Sequence, residues 1–350
     1  MMRTFFITLI LLFTLHISAK AQQQPLYSQY IENGFLFNPA MAGSRIYTPV
    51  RLTIRKQWAG IDGAPETQAL SIHKNFGEES TACDAVGNPL ARRSTKRGLG
   101  MGAYVFNDKY GAISRTGIEL SYAYHLEFNR QYYGKRGTRL SFGLGGIFYQ
   151  YKFDGDYIPV GDPLYTGADI VSYIPDANFG IFLYNSNYFV GFSIAHLFES
   201  SVKMGDAGFN NDIMLRYYYF NAGYTFNINN QVSLEPSVIV RRTIDSQNYI
   251  DLTAKLYVRS FWLALSYRNN DQLVGMLGVN FAKYYFGYSY DYYSNNLLAN
   301  QSNGTHEVTF GINLDVPKSM VKDLMRRNRN DAAKTRRKIR QKKTQEFMFF

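Results

Sequence analysis

Gly117-Ile118-Glu119-Leu120-Ser121-Tyr122-Ala123-Tyr124-His125-Leu126-Glu127-Phe128 is the stretch that decides the fold. Ile118, Leu120, Tyr122, Tyr124, Leu126 and Phe128 fall on one face of an extended chain, while Gly117, Glu119, Ser121, Ala123, His125 and Glu127 fall on the other. A period of two is the signature of a β-strand. The same alternation recurs almost without a break in segments of roughly ten residues, the length at which a tilted strand crosses a bilayer. With lipid on one side and a watery lumen on the other, strand faces must alternate in this way, and strand edges exposed to lipid would leave unpaired N–H and C=O groups. The expected fold is therefore all-β, a transmembrane antiparallel up-and-down β-barrel.

Working outward, candidate strands lie at 50–58, 66–76, 98–107, 113–128, 138–153, 176–184, 188–197, 215–228, 231–242, 249–258, 261–268, 273–282, 283–292 and 305–314. They number fourteen, an even count that returns both ends of the series to the periplasmic side. Asn185-Ser186-Asn187, Asn229-Asn230 and Asn269-Asn270-Asp271 read as tight turns of residues that tolerate positive φ, and 77–97, 154–174 and 199–214 as long loops.

The chain divides into four parts. Arg3, the apolar run 5–17 and Ala19-Lys20-Ala21 describe a secretory signal peptide over 1–21. Residues 22–49, with Pro25, Gly34, Pro39, Gly43 and Pro49, form an irregular periplasmic or lumenal arm, 50–314 the barrel, and 315–350 a basic tail. No stretch after the signal supplies the ~18 uninterrupted apolar residues of a spanning helix. Cys83, the single cysteine, has no internal disulfide partner and sits in what reads as a solvated loop.

Aromatic residues make up 16% of the chain, with 29 Tyr and 26 Phe, and such rings suit the two bilayer interfaces. The net charge of +11 is concentrated in the tail, where 12 Lys or Arg stand against 4 Asp or Glu. The barrel itself is close to neutral, which argues against an anion-selective lumen or a nucleic-acid channel. In the periplasm the tail would meet acidic protein surfaces, the anionic inner leaflet or the cell wall, with Lys318, Lys322, Arg326, Arg327, Arg336, Arg337, Lys338 and Arg340 as candidate partner-binding residues. It reads either as a weakly amphipathic helix or as a solvated extension.

Glu119, His125, Glu127, Glu235, Arg241, Asp251, Lys255 and Arg268 fall on the polar faces of their strands and are the candidate lumen-lining residues. They fit a mutually neutralising interior better than a catalytic site. The five histidines are scattered, and no metal-binding spacing occurs. Gly98, Gly100 and Gly102, and Gly143, Gly145 and Gly146, lie within strands, where small residues permit bends or close approach. No cofactor and no catalytic residue is expected.

Several blocks in order resemble a known family. Leu26-Tyr27-Ser28-Gln29-Tyr30, Phe37-Asn38-Pro39-Ala40-Met41-Ala42-Gly43-Ser44 and Gln57-Trp58-Ala59-Gly60-Ile61-Asp62-Gly63-Ala64-Pro65-Glu66-Thr67 are similar to the opening of the PorP/SprF family of Bacteroidetes. Tyr188 to Leu197, Asn221 to Tyr224, Leu234 to Ser237, Tyr267-Arg268, Gly287 to Asp291 and His306-Glu307 match its later motifs. Ser28, Gln29, Tyr30, Asn38, Pro39, Gly43, Gln57 and Trp58 carry the early part of the likeness. The resemblance implies an outer-membrane barrel of the type IX secretion system, which also supports gliding motility, with no enzymatic activity. It implies as partners outer-membrane lipid, the translocon, the periplasmic ring and a secreted adhesin or other sorting-domain substrate, and no nucleic acid. Two other functions fit a barrel: a porin-like channel for small solutes, which an arm inside the lumen would block, and an outer-membrane enzyme of the protease or acyltransferase kind.

Overall fold

The structure, a computed structural model, describes residues 27–45, 47–76, 81–83, 89–91, 97–128, 137–157, 169–202, 212–229, 231–243, 248–269, 272–281, 283–294 and 301–316. Fourteen strands follow one another around a closed ring. They are β1 (Thr48–Lys56), β2 (Glu66–Asn75), β3 (Arg97–Tyr110), β4 (Ile113–Glu127), β5 (Arg139–Phe153), β6 (Ile170–Tyr184) and β7 (Tyr188–Ala195). Then come β8 (Tyr217–Tyr224, continued after Thr225 by Phe226–Asn227), β9 (Val232–Arg242), β10 (Tyr249–Val258), β11 (Phe261–Arg268), β12 (Gln272–Phe281), β13 (Tyr284–Tyr293) and β14 (Thr305–Leu314). Every neighbouring pair is antiparallel, and the first strand closes on the last with Thr48 opposite Leu314 and Lys56 opposite His306. No strand edge is left open, as a bilayer demands. The rim bearing Thr48 and Leu314 is called here the near rim, and the opposite end the far rim.

Burial in this barrel is turned inside out. Along β4, Glu119, Ser121, Ala123 and His125 are buried, whereas Leu120 and Tyr122 are 63% and 46% exposed toward the position of lipid. On β1, Arg51, Thr53 and Arg55 are buried while Leu52 and Ile54 are exposed. Aromatic side chains ring the near rim at Phe76, Phe128, Phe226, Phe261, Phe281 and Tyr284, all outward and exposed.

Strands β3 to β6 run to 14 or 15 residues and the others to 8 to 11, so one wall of the barrel stands taller at the far rim. Strand β6 begins six residues earlier than its sequence pattern suggests, because Ile170 to Pro175 pair with Phe148 to Phe153 of β5. The 77–97 and 199–214 segments are not wholly irregular. Thr81–Cys83 pairs with Pro89–Ala91, which puts Cys83 in a small two-stranded ladder, and Ser201–Val202 pairs with Asp212–Ile213.

The asparagine turns form where expected but by a different device. None of the described turn asparagines has positive φ. Instead the Asn185 side-chain oxygen accepts from the N–H groups of Asn187 and Tyr188, and that of Asn229 from Gln231 and Val232. A side chain mimicking a backbone turn closes each hairpin.

Candidate functional site: the arm within the lumen

Residues 27–45 run down the inside of the barrel from the far rim to the near rim. They make two short 3-10 turns, Gly34–Leu36 and Pro39–Met41, and no sheet of their own. An irregular chain has unpaired backbone polar groups, and these are met by the lumen wall.

At the far rim the arm is latched by charge. Glu307 on β14 accepts from the backbone N–H of Ser28 (2.7 Å) and of Gln29 (2.9 Å). Arg55 on β1 donates to the Ser28 hydroxyl at 2.8 Å and pairs with Asp291 (2.7 Å) and Glu307 (3.2 Å). Arg268 on β11 donates to Asp251 (2.7 Å), Asp291 (2.9 Å) and the Ser28 hydroxyl (3.0 Å). Gln272 adds a bond to Asp291 at 3.0 Å. All these side chains are buried. Two guanidinium groups thus sit among three carboxylates contributed by β10, β13 and β14. The Ser28 hydroxyl also approaches both Asp291 oxygens at 2.8 Å, so the arm supplies polar groups that complete the network. Buried charges persist only when paired and hydrogen-bonded in this way.

Farther down, Glu32 of the arm pairs with Lys255 on β10, whose ammonium lies 4.0 Å from the Trp262 ring centroid. The Tyr30 hydroxyl lies 3.0 Å from Thr253 Oγ1, and the Asn33 amide donates to Ser71 at 3.0 Å. Phe35 packs edge-on to Tyr104 and against His73, with ring centroids 5.9 and 5.2 Å away. Asn38 caps the second turn by accepting from Ala40 N–H (2.9 Å) and donates to the carbonyl of Ile181 at 3.1 Å. Near the bottom, His125 on β4 contacts the Ala42 carbonyl at 2.7 Å, and Gly43, at φ +71°, donates its N–H to His73 Nδ1 at 3.1 Å.

Inward-facing glycines make room for this path. A Cβ on Gly100 would collide with the Ala42 carbonyl, one on Gly102 with the Phe35 ring, one on Gly143 with the Pro39–Ala40 backbone, and one on Gly287 with the Gln29 side chain. Gly145 makes room for Glu119, and Gly146 faces outward into open space. These glycines serve close approach of the arm to the wall.

All eight residues expected to line the lumen point inward. Asp251, Lys255 and Arg268 bond to the arm or to its latch. Glu119 is fully buried and accepts from Tyr104 (2.8 Å), Ser121 (2.5 Å) and Asn178 (2.5 Å). Glu235 accepts from Thr225 at 2.7 Å, Arg241 lies over the rings of Tyr217 and Tyr249, and Glu127 stands 3.9 Å from Arg139. Of the early motif residues, Gln57 and Trp58 stay outside the lumen, in the β1–β2 turn, where their N–H groups bond to Pro65 O and Thr305 Oγ1. Lys318, Lys322, Arg326, Arg327, Arg336, Arg337, Lys338 and Arg340 lie outside the described residues. Arg55, Asp291 and Glu307, the heart of the latch, are missing from the lumen-lining set drawn from the sequence. Their signal was present: Arg51, Thr53 and Arg55 alternate with Leu52 and Ile54, and Gly287, Ser289 and Asp291 with aromatic residues.

Ser141 and His125 are hydrogen-bonded partners, an arrangement that could suggest a nucleophile and its base. Both are enclosed, Ser141 at 0% exposure, and the other ring nitrogen of His125 meets a backbone carbonyl instead of an orienting acid. The pair acts as an anchor for the arm.

Comparison with known proteins follows the same line. The sequence model of the type IX secretion system membrane protein PorP/SprF family matches residues 19–312. Among curated proteins nothing matches. Similar solved structures include the toluene transporter TbuX of Ralstonia pickettii, at 8% identity and TM-score 0.45, covering 80% of this chain and 92% of that one. The monoaromatic hydrocarbon channel CymD gives 11% identity and TM-score 0.42, covering 80% of this chain and 91% of that one. The translocator domain of the autotransporter NalP from Neisseria meningitidis gives 12% identity and TM-score 0.33, covering 82% and 92%. The barrel rests on its own closed hydrogen-bond register, independently of these low scores.

Proposed function

This chain belongs to the PorP/SprF family of type IX secretion system membrane proteins, and from that premise we propose that it is a non-catalytic scaffold of the secretion machinery rather than a conduit. One observation carries the reading: the chain's own arm runs through the lumen from the far rim toward the near one, hydrogen-bonded to buried charged groups of the wall. A conduit needs an open lumen, whereas a scaffold needs a rigid body with two presentable rims. An even-stranded barrel with both ends of its strand series at the near rim supports a periplasmic reading of that rim. There the tail after Leu314, with Lys318, Lys322, Arg326, Arg327, Arg336, Arg337, Lys338 and Arg340, docks acidic faces of periplasmic ring components. The taller far rim, built by β3 to β6, then faces outward, toward a secreted adhesin or other sorting-domain substrate held beside the translocon. Cleavage after Ala21 leaves a mature chain that begins just ahead of the latch.

Purification from the native outer membrane in mild detergent, with and without residues 316–350, tests this. Mass spectrometry is expected to recover translocon or ring components with the full-length chain and to lose a periplasmic partner with the truncated one. A barrel that emerges alone in both forms, while other membrane complexes survive the same detergent, refutes the scaffold reading.

A further inference from the structure

The lumen holds its larger hollow at the near rim. A vestibule with about 1170 Å³ of empty space, open solvent at its mouth included, lies between the base of the arm, the start of β1 and the β6–β7 hairpin. Its lining joins three kinds of group. Cations come from Arg45 and Arg51, aromatic surface from Tyr47, Phe182, Tyr184 and Phe189, and amides from Asn185 and Asn187 in the hairpin turn.

Arg51 is the unusual member. It is 5% exposed, sits opposite Gly311 in the β1–β14 register, and occupies the space that glycine leaves. Its guanidinium donates to Asn313 Oδ1 (2.7 Å) and Val50 O (3.0 Å) and lies 4.9 Å from the Tyr285 ring centroid. Its Nε finds no acceptor among the described residues. The charged or titratable groups that face it are Tyr47, Tyr285, Arg45 and His73, with no carboxylate among them. The two carboxylates that line the same vestibule are already engaged: Glu32 with Lys255, and Glu235 with the Thr225 hydroxyl. This contrasts with Arg55 and Arg268 of the far-rim latch, each of which meets two carboxylates. A buried guanidinium held without a counter-charge, with a donor unused and a cavity beside it, is a receptor for an anion.

We propose that the near-rim vestibule binds an acidic peptide segment of a periplasmic protein, a carboxylate seated on Arg51 and an adjacent aromatic or aliphatic side chain against Phe189. Phe189, partly exposed beside the buried Phe182 and Tyr184, offers an apolar contact that a bare inorganic anion would not use. The proposal deepens the scaffold reading in one respect, that the near rim faces the periplasm, and the site's chemistry stands apart from it.

The test uses the purified full chain in detergent and three probes: the dye-labelled tetrapeptide Ac-Glu-Phe-Asp-Tyr-amide, its lysine counterpart Ac-Lys-Phe-Lys-Tyr-amide, and inorganic phosphate. Saturable binding of the acidic peptide is expected, weakened about tenfold or more by Arg51→Gln and partly restored by Arg51→Lys. Arg45→Gln, at the half-buried mouth of the site, supplies a second variant that decides the matter should Arg51→Gln fail to fold. Folding of each is checked by its heat-modifiable migration. Equal binding of the lysine peptide, or acidic-peptide binding unchanged by the arginine substitutions, overturns the proposal. So does displacement by phosphate at the peptide's own concentration, which would mark a site for free anions. Peptide binding that survives while no secretion component co-purifies would count against the scaffold role and leave the site intact.

Discussion

Arg268 touches two carboxylates on neighbouring parts of the wall and the hydroxyl of the arm's Ser28, and water reaches none of it. Deleting one member of such a group leaves its partners charged and buried, which typically costs about 3 to 5 kcal/mol, far more than loss of a surface pair. Arg268→Met is therefore expected to lower the urea midpoint of the folded, heat-modifiable form sharply, while Lys74→Met, which removes the exposed Lys74–Asp315 pair, leaves it almost unchanged. Glycine offers a second contrast at this scale. Gly143→Val drives a side chain into the Pro39–Ala40 backbone, whereas Gly146→Val projects outward into open space. The first is expected to expel the arm and expose residues 27–45 to protease with the barrel still closed, and the second to leave them protected. Parity along β5 already separates these glycines in the sequence. What fills the space beside Gly143 was not legible there, because the contact joins residues about a hundred positions apart and no local pattern encodes it.

Among the elements, β4 shows what was legible and why. Its twelve-residue alternation fixes both faces, since a slip of one residue would turn Glu119 and His125 toward lipid. A charge on the outward face should then cost according to depth. Leu120→Arg, near the middle of the strand, is expected to destabilise by about 2 to 4 kcal/mol, and Thr116→Arg, closer to the far rim, by about 0 to 1 kcal/mol. Equilibrium unfolding in lipid vesicles measures the difference, and equal costs would move the membrane boundary. The start of β6 is hidden in the sequence because Pro175 argues locally against a strand interior. Pairing with β5, a tertiary contact, overrides that signal. The prolines and glycines of the arm disfavour a regular element, but its course along the lumen emerges only from the glycine steps and polar partners of a closed barrel.

For the whole molecule, the arm turns a ring of strands into a solid body. The latch draws on β1, β10, β11, β12, β13 and β14, so it spans the seam where the first strand meets the last. A group that bridges a seam stabilises closure, and closure is the step that removes the last open edge. The same arm decides between scaffold and channel. If it fills the lumen, the intact protein in a planar bilayer should stay silent, and a chain lacking residues 22–45 behind its own signal should conduct in steady, ohmic steps. Gly143→Val, which dislodges the middle of the arm without shortening the chain, should give intermittent openings and guards against failure of the deletion to fold. Equal, steady conductance from the intact protein and the deletion would mean that the arm leaves a continuous path, and the porin reading would displace the scaffold. Silence from the intact protein together with conductance from both altered forms would tie the seal to the arm itself, since neither change alters the wall's hydrogen-bonded register.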